Sequence, residues 1–419
     1  MMKKIGLFFT VCFLAPGAIA QSETTPLAFY KQQADRLTTA ANRDQRAYAK
    51  TLADNLGTWI MQHPADENAP QALLTQGRLY LLAQEKADAL IALLKVSKLY
   101  PQISLADQKN TIQELLQVVD EPTRSADGLR AFSISTGSAT SWAEREAAVL
   151  FALSKLPGRT LYAPAAAAFE SFFLRYPSYE QNDQVELWYG DLHRANGNYL
   201  AALSQYQKVA ALYPLTPYRA ASLRLSGDIY ADHLNDTNRA RALYNQVLQT
   251  YPDSNETGIV YKHLAILEEN DKNYDVSLAY YDKAIRTLGS SPAAFEAYTG
   301  KADVYKKRKD FDSAYRELQQ AGNVFAGNEK YRTQALLAAA QVARKNLRDD
   351  IKYTQSLEKI LATAPSDPRS DEIMYELGQA YERQNRTAPA VEMYRKLVLR
   401  QPNGKYAAKA QGRINKLQK

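Results

Sequence analysis

Cysteine is nearly absent from this chain, with Cys12 the single instance in 419 residues. Disulfides, thiolate metal sites and cysteine nucleophiles are thereby excluded together from everything after residue 12. Histidine is almost as scarce. His63, His193, His233 and His263 stand at least thirty residues apart, so no two share metal-ligand spacing on one element. There is no HExxH pair, no glycine-rich phosphate loop and no G-x-S-x-G elbow. The adjacent carboxylates Glu268-Glu269 and Asp349-Asp350 diverge in direction on a helix, which argues against acid/base pairs and for solvated faces. Neither an enzyme nor a bound cofactor or metal is expected. A strong charge of one sign is missing too: 52 basic against 45 acidic residues, with no basic stripe carrying interleaved aromatics, argues against nucleic acid.

Long apolar runs are confined to the N-terminus. Lys3-Lys4, the run Ile5–Leu14, the breakers Pro16 and Gly17, and Ala18-Ile19-Ala20 have the layout of a secretory signal peptide. Cleavage after Ala20 and a periplasmic mature chain are the expectation, with no transmembrane segment remaining. Cys12 lies inside the apolar run, not after a small-residue box, so lipidation is not expected.

What is abundant is repetition. Tyr100-Pro101, Tyr176-Pro177, Tyr213-Pro214 and Tyr251-Pro252 share one grid with His63-Pro64, Ala364-Pro365 and Gln401-Pro402, at a period of 37 or 38 residues or two or three times that. A period in this range signals one supersecondary unit copied along the chain, each copy burying its apolar face against its neighbours. Eight residues before the stops stand Leu56, Leu93, Phe169, Tyr206, Tyr244, Leu357 and Tyr394, with Tyr281 and Leu318 where the proline is replaced. Twelve before stand Ala89, Ala165, Ala202, Ala240, Ala314 and Ala390, with Ser277 among them. Large and small residues four apart share one helical face, the large one as a buried knob and the small one as a point of close helix approach. A second helix upstream carries a small residue and an aromatic three on: Gly77 and Tyr80, Gly227 and Tyr230, Ala302 and Tyr305, Gly378 and Tyr381. Twelve of the 28 tyrosines are absorbed into these columns and stops.

Read together, the columns resemble the tetratricopeptide repeat, most clearly Gly378, Tyr381, Ala390, Tyr394 and Pro402, and Gly190, Gly197, Tyr199, Ala202, Tyr206 and Pro214. The resemblance implies an all-α, TPR-like α-solenoid of antiparallel helix pairs, A and B, stacked in a right-handed superhelix. Its expected organisation is a signal peptide over 1–20, N-terminal helical repeats over 21–120, a degenerate repeat or loop over 121–141, a C-terminal array over 142–403 and a closing helix over 404–419. Residues 26–62 read as one opening helix or two. The final units, from about Asp371, resemble repeats of bacterial envelope proteins that accompany outer-membrane barrel assembly or the Tol–Pal system.

Carried over from the family, the concave-face positions of helix A are Leu187, Trp188, Asp191 and Arg194, then Arg224 and Asp228, then Lys262, Asp303, Lys306 and Tyr375. A groove of mixed charge with aromatic anchors suits a peptide segment. The expected function is a non-catalytic periplasmic scaffold that binds a protein partner of the cell envelope and supports assembly or coordination of an envelope machine. A glycan partner is the alternative, in an escort of a cell-surface polysaccharide export system, with Trp188, Tyr189 and Tyr375 as the stacking faces to examine. The basic run Lys306-Lys307-Arg308-Lys309 reads as a solvated turn.

Overall fold

The structure, a computed structural model, describes residues 26–37, 42–100, 141–156 and 158–418. The signal segment with Cys12, and all of the degenerate stretch except Ser141, lie outside the described residues. Those described are helical, with no strand among them, and divide into two compact units on either side of Tyr218 and Arg219. That division falls inside the stretch read as one C-terminal array.

In the first unit the opening segment forms two helices, α1 (Pro26–Arg36) and α2 (Arg43–Gln62), followed by the pairs α3 (Ala69–Leu82) with α4 (Lys86–Leu99), α5 (Trp142–Ser154) with α6 (Arg159–Arg175), and α7 (Asn182–Ala195) with α8 (Tyr199–Leu212). The second unit runs α9 (Arg219–Asp232) with α10 (Thr237–Thr250), α11 (Thr257–Asn270) with α12 (Tyr274–Leu288), α13 (Pro292–Lys307) with α14 (Phe311–Val324), α15 (Glu329–Val342) with α16 (Asp350–Thr363), and α17 (Ser370–Arg383) with α18 (Thr387–Arg400). It ends on α19 (Ala407–Leu417). Within each unit consecutive helices pack on one another.

The proline grid works through the residue before it. Proline excludes the helical region for its predecessor, and His63, Tyr100, Tyr176, Tyr213, Tyr251, Ala364 and Gln401 all leave helix B with φ between −119° and −141°. The turn that follows is tied by a side chain opening the next helix A. Asn182 donates to the carbonyls of Tyr176 and Pro177, Thr257 to those of Tyr251 and Pro252, and Ser370 to those of Ala364 and Pro365. These three polar side chains are buried, and each donates to two consecutive carbonyls at the start of the turn.

Both predicted columns form the core. The knobs Leu56, Leu93, Phe169, Tyr206, Tyr244, Tyr281, Leu318, Leu357 and Tyr394 are buried, as are Ala89, Ala165, Ala202, Ala240, Ser277, Ala314 and Ala390. Ser277 tolerates burial because its hydroxyl donates to the Ala265 carbonyl at 2.8 Å. The turn inside six of the pairs has its own rule. A residue with φ near +60° closes helix A, and the amide that follows it bonds back to a carbonyl one and a half turns earlier, as Asn198 does to His193 and Asp310 to Tyr305. Glycine fills that position at Gly197, whereas Gln84, Asn235, Lys272, Lys309 and Asn385 occupy it elsewhere. In the closing helix Ala410 and Ile414 are buried with Tyr406 and Leu417 packed beside them, and Lys405, Lys409 and Lys416 face solvent.

Candidate functional site

Helix A carries all of the residues proposed for partner binding, and the structure shows what each touches. In the first unit Leu187 is half-buried. Trp188 packs its ring 5.0 Å from that of Phe151, over which Lys155 also lies. Asp191 then collects three partners: the Lys155 ammonium at 3.2 Å, the Arg194 guanidinium at 3.5 Å and the Tyr206 hydroxyl at 2.8 Å. Trp188, Asp191 and Arg194 thus form one continuous patch with Lys155 and Phe151.

In the second unit Arg224 is clamped between Asp228 and Glu256. Asp228 also accepts from Tyr244 at 2.8 Å and faces Nδ1 of His263 at 2.7 Å. Burial would push the Asp228 carboxyl up, but bonds from His263 and Tyr244 and the Arg224 charge hold it below the ordinary carboxylate value. Lys262 pairs with Glu296 at 2.6 Å, and Lys306 pairs with Asp303 one turn away. Tyr375 stands apart from these, stacked 5.3 Å from Tyr406 and tilted against Tyr394.

A pattern emerges that the sequence reading did not single out. Each buried tyrosine knob sends its hydroxyl to a carboxylate on its own helix A: Tyr206 to Asp191, Tyr244 to Asp228, Tyr281 to Glu269 and Tyr394 to Glu382. A basic or imidazole group from the next helix pair or the closing helix then meets the same acid in the second unit: His263 at Asp228, Lys307 at Glu269 and Arg413 at Glu382. The phenol satisfies its own burial while the acid joins successive repeats. Burial first, and then the neighbouring carboxylates, push the hydroxyls of Tyr206, Tyr244 and Tyr281 well above the usual tyrosine range, so they stay donors at all ordinary pH. Tyr281→Phe should leave Glu269 with Lys307 alone and cost about 1 kcal/mol, the net worth of one such bond, in urea melts of the full chain. An unchanged midpoint would mean the bond is spectator.

One expectation needs correction. Glu268-Glu269 and Asp349-Asp350 are not solvated faces. Glu268 is held by Arg241, Glu269 by Tyr281 and Lys307, Asp349 caps α16 through the amides of Ile351 and Lys352, and Asp350 meets Arg383 at 2.7 Å. Their divergence is what lets adjacent acids serve different neighbours. The basic run is an exposed turn, in which Lys306, Lys307 and Arg308 each also have an acidic partner, in Asp303, Glu269 and Asp275. The histidines are packing or bridging groups where their contacts are described: His63 stacks on Trp59, His193 is buried against Tyr162 and Tyr189, and His263 meets Asp228. Among the described residues no group of His, Cys, Asp and Glu could hold a metal ion, and no helix is long and apolar enough to cross a membrane.

Comparison with known proteins agrees with the helix pairing. Models of the tetratricopeptide repeat match residues 71–102, 189–255 and 372–404. No curated protein sequence matches the chain. Among solved structures, a tetratricopeptide repeat protein from Parabacteroides merdae is 17% identical over 62% of this chain and 93% of its own, with a TM-score of 0.35. The C-terminal part of a TPR repeat-containing protein from Cytophaga hutchinsonii is 16% identical over 64% and 98%, with a TM-score of 0.40. The apo form of the quorum sensor NprR from B. thuringiensis is 11% identical over 88% and 97%, with a TM-score of 0.41. The described residues thus form an all-helical repeat protein, and stretches in both of its compact units match models of the tetratricopeptide repeat.

Proposed function

We propose that this chain is an exported, non-catalytic scaffold that holds a protein partner against its helix-A faces and supports assembly or coordination of a cell-envelope machine. One observation carries the reading. The charges on helix A are each met by close partners, Asp191 by Arg194 and Lys155, Arg224 by Asp228 and Glu256, and Asp303 by Lys306, at separate places along the repeats. Matched charges beside a half-buried ring such as Trp188 offer a polypeptide of mixed charge both an anchor and exchangeable ionic contacts. The repeat resemblance of the last units supports the envelope assignment, and the Lys3-Lys4 segment supports export to the periplasm. A polysaccharide escort needs uncharged aromatic faces, whereas Tyr189 is buried face to face on Phe169 and Trp188 sits beside the Lys155, Asp191 and Arg194 charges.

The test is site-specific photo-cross-linking in intact cells. A photoreactive residue at Arg194 or Lys306 should give discrete protein adducts, and one at the exposed helix-B positions Leu212 or Leu399 should not. Adducts of equal yield from both sets, or only glycan adducts, would contradict the proposal.

A further inference from the structure

Away from the helix-A candidates, the first unit has an open pocket of about 490 Å³ between α2, α3, α4, α5 and α6. Its volume is that of a pocket for a small molecule. Its walls are apolar and aromatic, with Ile60, Leu73, Leu99 and the rings of Tyr80, Tyr100 and Trp142 among them.

The polar groups of the lining are nearly all spoken for. Tyr80 donates to Asp54 at 2.9 Å, Gln76 to the Ala53 carbonyl at 3.1 Å, and Tyr100 to the Pro64 carbonyl at 2.7 Å. Glu146 takes both the Arg175 guanidinium, at 2.6 Å, and the Tyr176 hydroxyl, at 3.2 Å. Lys95 is the exception among the charged side chains of the described lining. It lines the cavity from α4 and makes no hydrogen bond or ion pair with any described residue. Burial depresses its ammonium below the usual lysine range, and Glu146 offsets this only in part. The pocket therefore presents a partly buried ammonium that makes no hydrogen bond or ion pair with the described lining, beside apolar and aromatic walls.

We infer that this cavity binds a small monocarboxylate with an apolar or aromatic body, its carboxylate on the Lys95 ammonium and its body against Tyr80, Tyr100 and Trp142. Lysine acts as a point charge, which one carboxylate oxygen satisfies, and the bidentate fork of Arg175 is already occupied by Glu146. The carboxylates of Asp54 and Glu146 in the same lining weigh against a dianion such as phosphate. Because the other polar side chains of the lining, apart from the Trp142 indole, are paired among themselves, a body without amides fits best. The inference is independent of the helix-A proposal, whose residues lie elsewhere.

Titrating the full chain with 1-naphthylacetate and with its uncharged amide tests it. The acid should bind saturably and at least tenfold more tightly than the amide. Lys95→Met, close to lysine in shape and free of charge, should weaken the acid at least tenfold and leave the amide unchanged, with far-UV circular dichroism and melting confirming its fold. Should that variant fail to fold, Lys95→Gln and the acid-to-amide ratio on the unmodified chain decide. No saturable binding of the acid, equal affinity for acid and amide, tighter binding of a phenylalanine-terminated tripeptide than of the small acid, or full acid affinity in folded Lys95→Met would each overturn it.

Discussion

Gly227→Ala should destabilise the second unit by about 1–3 kcal/mol, the cost of forcing a methyl group into a packed core. A Cβ at this position would lie 2.5 Å from Cε1 of the Tyr244 ring. The ring has nowhere to go, because it is fully buried and its hydroxyl is anchored on Asp228 beside His263. Alanine's better helix propensity, worth up to about 1 kcal/mol, offsets part of the loss. The control is Gly77→Ala in the first unit. It occupies the same column, yet its added Cβ would meet Leu93 at an ordinary 3.4 Å, so that substitution should be neutral or slightly stabilising. Since repeat arrays need not unfold in one step, the readout is amide hydrogen exchange resolved by helix, with faster exchange expected in α9 and α10 for Gly227→Ala. Equal effects of the two substitutions would mean that the tyrosine knob is not rigidly seated.

The second large effect is expected at Asp228. Its side chain is only 15% exposed, as is that of its partner Arg224, and removing one member of a mostly buried ionic group leaves the others uncompensated. Asp228→Ala should therefore cost about 3 kcal/mol. The sign with pH follows from its depressed carboxyl. An acid held below its unfolded value, about 3.9, contributes stability that is fully present above that value and is lost as pH falls through the lower folded one. Urea melts should thus show the deficit of Asp228→Ala relative to the unmodified chain at pH 7 and a shrinking deficit below about pH 4. A deficit independent of pH would assign the loss to packing and not to charge.

The helix pairs, the knob column and the small-residue column were legible because each recurs at a fixed distance from a proline that physically ends helix B. The acids that receive the tyrosine hydroxyls were not, because they occupy two alternative positions. Asp191 and Asp228 directly follow the column glycines Gly190 and Gly227, whereas Glu382 stands four after Gly378 and Glu269 four after Ala265. Positions three apart share a helix face, so either location reaches the phenol and no single column forms. Left-handed turn residues were hidden for a similar reason: only Gly197 shows the expected glycine, and Gln84, Asn235, Lys272, Lys309 and Asn385 adopt the same backbone under the control of the flanking helices. The family's helix-A positions did identify real clusters, at Asp191 with Arg194 and at Arg224 with Asp228. What spacing alone did not reveal is that these side chains also join successive repeats.

That dual use makes the central claim measurable. Hydrogen exchange of the full chain should be compared with and without the protein recovered by cross-linking. If helix A is the binding face, exchange slows in α7, α9, α11, α13 and α17 and is unchanged in the paired helices α8, α10, α12, α14 and α18. Protection confined to the helix-B members, or none at all at saturating partner, would contradict the account.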